Sequence, residues 1–340
     1  MKMRTTFVAP FCVFILFTAC TGEQSQKEER RTSVSVADDL TLIPSETNIL
    51  FYINFENLKK SPLGEELSKE LELRIKEEGE DYDYLEFVEE TGLDIKRDIY
   101  ELWLAIAASE DSEEDGGILV SGKFNRDNII DYLKREKRHE FQESSYKNFK
   151  IYALDHHNDA GMFFLNEETL AIGKDHWLRR IIDQSISRES SILNNLAMTE
   201  LMDKVQNKDQ FWGVMNLKGL TRKWADEIRK RGSGFKGTQS LENMKWIIFH
   251  TQVDQKAKVV LEGNFSTTEE AQLLTDMLNG FKAMAKFSVS DDKEAVDMLN
   301  EIKISSKGSI INVTANVDRE FLEKMEKKRK RFGESKFKWM

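Results

Sequence analysis

The chain has 340 residues, enough for two ordinary domains or for one large domain built from a repeat. Its hydrophobic fraction of 40% and its charged fraction of 32% fit a globular body with a well-solvated surface. The formal net charge of -10 argues against nucleic acid as a partner, because phosphate contacts need clustered lysine and arginine.

The first 19 residues have the layout of a secretory signal peptide. Lys2 and Arg4 supply the positive start, and an apolar run follows over 7–17. Small residues, Thr18 and Ala19, end the segment. The apolar run is too short to span a bilayer as a stable helix, so the pattern indicates secretion.

Residues 16–20, Leu-Phe-Thr-Ala-Cys, closely resemble the lipobox of bacterial lipoproteins. In that motif the cysteine receives acyl chains such as palmitate and becomes the first mature residue. Phe17 stands where leucine is usual, with Leu16 one place earlier. The resemblance implies a signal peptide over 1–19, lipidation of Cys20 and membrane attachment in the cell envelope. The alternatives are an ordinary signal peptide or an uncleaved N-terminal anchor.

The body that follows Cys20 contains no cysteine, since Cys12 and Cys20 are the two in the chain. No disulfide, thiolate metal site or cysteine nucleophile is therefore expected in it. Residues 20–39 are polar and lack hydrophobic periodicity, which predicts a lipidated cysteine followed by a flexible tether. Thr21 is not aspartate, and by resemblance this implies the outer membrane if the bacterium is diderm.

The first half of the body, 40–187, is predicted to alternate strands and helices. Short apolar runs indicate strands, and wider apolar spacing indicates helices. The predicted order is a strand at 49–55, helices at 58–75 and 82–91, a hairpin of 102–106 and 117–124, a helix capped by Asn125, three or four strands over 141–172, and a helix capped by Asp175.

The second half, 210–331, repeats this order after a junction at 188–209, and a basic tail follows at 332–340. It is predicted to contain a strand at 211–217, a helix with Leu220, Trp224 and Ile228, a hairpin of 246–251 and 259–265 that turns at 254–256, and a helix capped by Ser266.

Three landmarks favour a tandem repeat. Residues 122–125, Gly-Lys-Phe-Asn, recur 141 positions later as Gly-Asn-Phe-Ser, and Trp103 recurs 143 positions later as Trp246. Residues 171–175 ahead of Trp177 recur 143 or 144 positions later as 315–318 ahead of Phe321. We predict an α+β fold of two tandem repeats, each strand-helix-hairpin-helix-hairpin-helix, with largely antiparallel sheets and helices on one face. The alternative is that such pairs of landmarks arise by chance in any α+β chain.

The opening of the body carries a family resemblance. Residues 42–47, Leu-Ile-Pro-Ser-Glu-Thr, precede a strand, and Ser-Pro-Leu follows at 61–63. Together with Gly-Leu-Asp-Ile-Lys-Arg-Asp-Ile at 92–99, this is similar to a group of uncharacterised bacterial lipoproteins. The resemblance covers residues 40–190. It implies a fold and no chemistry, because that group has no agreed activity.

A cluster at 155–159 is the candidate metal site. Asp155, His156, His157 and Asp159 have ligand types that suit zinc or another divalent ion. Adjacent side chains on extended backbone point apart, however, and Asp and Asn are common in turns. A solvated hairpin turn is therefore favoured, and neither a metal nor a cofactor is predicted.

These observations predict a lipid-anchored, non-catalytic binding or scaffold module of the cell envelope. Its expected partners are the membrane, through the N-terminal lipid, and an envelope protein or polymer. Two alternatives stay open. One is an envelope hydrolase or metal-dependent enzyme with an unrecognised site, and the other is a carrier of an apolar ligand between the two repeats.

Overall fold

The computed structural model describes residues 36–65, 81–109, 113–137, 141–154, 159–205, 209–220 and 242–321. The chain divides into two compact units, one reaching Met202 and the other beginning at Asp203, with Ser109–Asp111 grouped with the second. The predicted signal peptide, Cys20 and the predicted basic tail lie outside the described residues. None of the described helices is long and apolar enough to cross a membrane.

The first unit alternates helices with strands, as predicted. Its helices are α1 (Val36–Leu40), α2 (Phe55–Lys59), α3 (Asp81–Thr91), α4 (Ile95–Asp98), α5 (Arg126–Lys137), α6 (Asp175–Ser187) and α7 (Leu196–Met202). Its strands are β1 (Ile49–Asn54), β2 (Ile99–Ala107), β3 (Asp115–Gly122), β4 (Glu143–Tyr146), β5 (Phe149–Ala153), β6 (Ala160–Phe164) and β7 (Thr169–Lys174).

The strands of the first unit form an antiparallel sheet in the order β1-β2-β3-β7-β6-β5-β4. The predicted hairpin of β2 and β3 is confirmed, with Trp103 opposite Leu119. Since hairpins join most neighbouring strands, the prediction of a largely antiparallel sheet is also confirmed.

The central strands of this sheet are buried on both faces. Leu119 and Val120 are neighbours in β3, and both side chains are buried. The same holds for Phe163 and Phe164 in β6. Because successive side chains of a strand point to opposite faces, the sheet is covered on both sides. Because the buried strand residues do not say which elements cover each face, the placement of helices on one face stays a prediction.

Helix α6 packs on the sheet through Trp177, which is fully buried. Two glycines that pair across β3 and β7, Gly117 and Gly173, lie beneath its indole. A Cβ atom would lie 2.5 Å from a Trp177 ring carbon at Gly117 and 2.8 Å at Gly173. Glycine is required at both positions because any larger side chain would displace the indole.

The folded body begins earlier than the predicted boundary at Leu40. Helix α1 starts at Val36, and the Asp39 side chain is buried with only 2% of its surface exposed. The prediction that residues 20–39 form a tether is therefore wrong for 36–39. Asp39 was assigned to the tether because the sequence around it is polar. In the structure its carboxylate accepts hydrogen bonds inside the core from Trp103 Nε1 and Ser121 Oγ, both at 3.3 Å.

The predicted junction, 188–209, is largely part of the first unit. It contains a 3-10 turn at Ile192–Asn194, helix α7, and the fully buried side chains of Ile192 and Met198. It also holds the opening loop, because Asn195 Nδ2 donates to the carbonyl of Ser45 at 2.8 Å. The prediction of a separate junction is therefore wrong up to Met202, where the unit ends.

The second unit contains five strands and two helices among the described residues: strands β8 (Phe211–Asn216), β9 (Met244–Val253), β10 (Ala257–Phe265), β11 (Lys303–Lys307) and β12 (Ile310–Val317), and helices α8 (Thr268–Ser288) and α9 (Lys293–Glu301). The strands form a smaller antiparallel sheet in the order β8-β9-β10-β12-β11. The core of the unit includes Phe265, Ala271, Leu274 and Ile311. Strand β11 carries exposed lysines at both ends.

Two predicted helix caps and one repeat landmark need correction. Asp175 is the first residue of α6, and the cap position belongs to Lys174. The cap of α8 is Thr267, which forms a capping box with Glu270, so Ser266 lies one position too early. The predicted helix after Leu220 lies outside the described residues.

The predicted equivalence of Trp103 and Trp246 is wrong. Trp103 pairs with Leu119, three residues before Gly122, whereas Trp246 pairs with Asn264, one residue after Gly263. The two tryptophans thus occupy different positions relative to the glycine landmark. Both strand pairs contain a bulge near this point, which a constant sequence offset ignores.

Candidate functional site

A broad cleft of about 890 Å³ opens at one end of the first unit. Its walls are loops that connect the strands and helices of this unit. Lys123 N donates to the carbonyl of Asp98 at 2.8 Å, and Phe124 N donates to the carbonyl of Glu167 at 3.3 Å. These bonds hold the segments before β2, after β3 and before β7 together, so the cleft is preformed by the backbone.

The end of the cleft near α4 carries an ion pair between an exposed arginine and a buried aspartate. Arg97 donates to both carboxylate oxygens of Asp98, from Nε to Oδ1 at 2.9 Å and from Nη2 to Oδ2 at 2.7 Å. Asp98 is 5% exposed, and its Oδ2 also accepts from Asp94 N at 2.9 Å. The hydrogen bond with Asp98 raises the pKa of Arg97. This pair is a fixed structural element, because both charges are satisfied by geometry.

Further cations line the rest of the cleft. Arg126, at the start of α5, donates from Nη2 to the Tyr152 hydroxyl at 3.0 Å. Lys150 contacts Glu143 at 2.6 Å, and this hydrogen bond raises the pKa of Lys150. Lys123 is exposed in the lining. These three cations line one common opening.

Aromatic and amide side chains complete the lining. Phe124 and Phe164 meet edge to face with ring centroids 6.0 Å apart, and Phe149 meets Phe163 at 5.6 Å. Asn125 caps α5 by accepting from Asn128 N at 3.2 Å. Phe124, Phe163 and Phe164 are buried, which leaves the half-buried Phe149 as the ring on which a ligand in the cleft could stack, beside amides and charges that could bind it by hydrogen bonds.

A half-buried polar row crosses the same unit. Asn54, Glu101 and Ser121 are register partners on β1, β2 and β3. The Tyr52 hydroxyl donates to Glu101 Oε1 at 2.8 Å, and Asn54 Nδ2 donates to the same oxygen at 3.1 Å. Burial first, and then Glu101, raises the pKa of Tyr52. The row meets Asp39 at Ser121, so the first helix is bonded to the sheet centre.

Two histidines that are scattered in the sequence each face a carboxylate. His176 Nδ1 lies 2.7 Å from Asp115 Oδ2 in the first unit, and His250 Nδ1 lies 3.1 Å from Asp209 Oδ2 in the second. The Asp209 side chain is fully buried, and it fixes the orientation of the imidazole. No sequence signal could have found either histidine–aspartate pair, because the two residues of each pair come from separate segments that only the fold brings together.

The predicted metal ligands are largely outside the described residues, which end at Leu154 and resume at Asp159. Asp155, His156 and His157 therefore stay a prediction, as does the turn between β5 and β6. Asp159 is exposed just before β6. Within the described ranges, no group of three or more His, Cys, Asp or Glu side chains is placed to hold a metal ion.

Comparisons with known proteins find no match: no protein family, no curated protein and no solved structure resembles this chain. The resemblance of residues 40–190 to uncharacterised lipoproteins therefore stays a prediction. The chemistry of the cleft and the N-terminal sequence are accordingly the two grounds on which a function can be argued.

Proposed function

We propose that this chain is a lipid-anchored protein of the bacterial cell envelope, located at the outer membrane in a diderm cell, and that it is a non-catalytic binding or scaffold module. The anchoring part is supported by the sequence alone: a basic start, an apolar run, and Cys20 in a lipobox-like setting. The helix that begins at Val36 leaves residues 20–35 as the proposed tether.

The cleft of the first unit is the observation that carries the binding part. Two of its cations are already paired, Arg97 with Asp98 and Lys150 with Glu143. Groups paired in this way hold a charged surface in place and suit recognition better than proton transfer. The expected ligand is a polar, extended segment of an envelope polymer or protein that stacks on Phe149 and meets Lys123 and Arg126.

We also propose that the two units are copies of one α+β unit. The order β8-β9-β10-β12-β11 follows the same path as β1-β2-β3-β7-β6, and in each unit a helix, α5 or α8, follows the third strand. The first unit adds the β4–β5 hairpin beyond this common set. A shared path of this kind supports duplication even where single landmarks, such as Trp246, do not correspond.

The anchor is tested by Cys20→Ser in the full chain expressed in a bacterium. We expect the wild type to incorporate radiolabelled palmitate and to sediment with membranes, and we expect Cys20→Ser to lose the label. Cys12→Ser is the matched control, because Cys12 lies in the predicted signal peptide and should leave labelling unchanged. A label that persists in Cys20→Ser would contradict the anchor.

The cleft is tested by charge reversal. We expect Lys123→Glu together with Arg126→Glu to abolish cosedimentation with isolated peptidoglycan or with lipopolysaccharide, whichever of these the wild type binds. Lys218→Glu is the control, since Lys218 is exposed in the second unit. Equal loss in the control would indicate a general effect of charge, and no binding by the wild type to either polymer would leave an envelope protein as the ligand.

A further inference from the structure

The charges of the cleft in the first unit are balanced. Among the described lining residues, four cations face three carboxylates, and Glu143, which pairs with Lys150, makes the carboxylates four. A surface of equal positive and negative charge attracts a polyanion weakly, because attraction and repulsion nearly cancel. The balance therefore favours a ligand without net charge. The lining cations are Arg97, Lys123, Arg126 and Lys150, and the lining carboxylates are Asp98, Asp127 and Glu167.

Two asparagines of the lining present amide donors in a fixed orientation. Asn125 Oδ1 accepts from Asn128 N at 3.2 Å, and Asn166 Oδ1 accepts from Glu168 N at 2.8 Å. Since a backbone N–H can only donate, each amide oxygen must face it, and each Nδ2 group must face the other way. Neither Nδ2 group has a hydrogen-bond partner among the described residues. Both are therefore donors available to a ligand.

On two loops of the cleft a donor stands directly beside a carboxylate. Arg126 precedes Asp127 on the loop that starts α5. Asn166 precedes Glu167 on the turn between β6 and β7. The carboxylates of Asp127 and Glu167 are exposed and form no hydrogen bond or ion pair within the part of the chain that the structure describes. The bond from Phe124 N to the carbonyl of Glu167 joins the two loops, so both donor–acceptor sets belong to one region of the cleft.

This arrangement matches the chemistry of sugar hydroxyl groups. A hydroxyl donates one hydrogen bond and accepts others, so it can use a carboxylate and an amide or guanidinium at the same time. A phosphate or carboxylate ligand has no such proton to donate to Asp127 and Glu167, and their charges would repel it. The paired donors and acceptors therefore favour a ligand rich in hydroxyl groups over an anionic one.

The apolar part of the cleft also suits a saccharide. The half-buried ring of Phe149 can stack against the flat apolar face of one sugar ring. The exposed side chains of the described lining are all polar. A bound peptide would instead require pockets for alternate side chains or a groove for an apolar helix face.

Given the binding role proposed for the cleft, on which this step rests, we propose that the cleft binds a neutral saccharide chain. The loops 125–127 and 166–167 bind its hydroxyl groups through adjacent donors and acceptors, and Phe149 stacks on one of its rings. Because the ligand has no charge, its affinity depends little on salt. The envelope polymer that this protein contacts is accordingly a glycan, and the contact is made to its sugar backbone.

The probe is chitotetraose, a neutral tetramer of N-acetylglucosamine, titrated by calorimetry into the chain from residue 20 with Cys20→Ser. Asn125→Asp and Asn166→Asp should each weaken binding at least about tenfold, because each replaces an amide donor by a carboxylate. Asn128→Asp is the matched control, since it adds the same charge to α5 outside the lining, and it should change binding less than about twofold. All three variants should unfold no earlier than the wild type, because an aspartate oxygen still accepts the bond that holds each loop.

A second probe decides between neutral and anionic ligands. An oligogalacturonate of the same length carries a carboxylate on every ring, and it should bind more weakly than chitotetraose. Tighter binding of the oligogalacturonate, with an affinity that falls steeply as salt is added, would overturn the proposal. Equal losses in Asn128→Asp and Asn166→Asp would also overturn it, since charge alone would then explain them.

The proposed function and this step can fail separately. A wild type that cosediments with isolated peptidoglycan but does not bind chitotetraose would overturn the saccharide ligand and leave the binding role of the cleft standing. A wild type that binds neither would overturn the saccharide ligand and point to an envelope protein instead. Because the test chain lacks the lipid, a failed anchor experiment leaves these results untouched.

Discussion

The indole N–H of Trp103 donates a hydrogen bond to the carboxylate of Asp39, 64 residues earlier in the chain, across 3.3 Å. Both side chains are buried, and Ser121 donates to the same oxygen at 3.3 Å. The contact fastens α1 to the centre of the first sheet. It therefore marks the point where the proposed tether ends and the folded body begins.

Removing this carboxylate should destabilise the first unit. In Asp39→Ala the buried Trp103 N–H and Ser121 hydroxyl lose their acceptor, and we expect the free energy of unfolding to fall by about 1–3 kcal/mol. Urea denaturation followed by tryptophan fluorescence measures the change. Asp38→Ala is the control, because Asp38 is exposed one residue earlier. A loss no larger than in the control would show that the contact contributes nothing.

Tyr52 should make the first unit sensitive to alkali. Its folded-state pKa is raised by burial and then by Glu101, so the folded protein keeps the phenol protonated while the unfolded chain releases the proton near its ordinary value. The stabilising contribution is complete below that ordinary value and is lost as the pH rises above it. Tyr52→Phe should flatten the alkaline part of a plot of unfolding free energy against pH. An unchanged alkaline slope would argue against this role.

Asn195 should hold the opening loop of the body in place. Its Nδ2 donates to the carbonyls of Ser45 at 2.8 Å and Thr47 at 3.4 Å, and its Oδ1 accepts from Met198 N at 3.3 Å. We expect Asn195→Ala to lower the unfolding free energy by about 1–2 kcal/mol, because it removes the cap of α7 and the hydrogen bonds to the opening loop. Glu200→Ala, at an exposed residue of α7, should have little effect. A comparable loss of stability in the two variants would contradict this role of Asn195.

Thr267 and Ser266 give a direct comparison of observed and predicted cap. The Thr267 hydroxyl accepts from Glu270 N at 3.2 Å, and Glu270 Oε2 accepts from Thr267 N at 3.1 Å. Thr267→Ala should cost about 1 kcal/mol of stability in thermal unfolding. Ser266→Ala should cost less, because Ser266 makes a single exposed bond to the carbonyl of Asn243. The reverse order of effects would favour the cap predicted from sequence.

The local features of the fold were predictable from the sequence. The hairpins of β2–β3 and β9–β10 follow from apolar runs on either side of a polar turn, and the second turns at 254–256 as predicted. The cap at Thr267 was also predictable, since Thr-x-x-Glu is the signature of a capping box. The prediction was wrong only in choosing Ser266 over the adjacent Thr267.

The non-local features were not predictable. Asp39 lies in a polar stretch, and its burial depends on Trp103 and Ser121, which the sheet brings to it. The pair of Asp209 and His250 depends in the same way on the placement of β9. The residues of the cleft come from four separate loops, and no spacing along the chain relates them. The local order of apolar and polar residues predicts helices, strands and turns, whereas these contacts depend on strand register and on the packing of distant segments.

Edge strand β11 also limits how copies of this chain can associate. It pairs along its length with β12, and both of its terminal residues, Lys303 and Lys307, are exposed. A further chain that added a strand here would confront ammonium groups at both ends, which disfavours open-ended growth of the sheet.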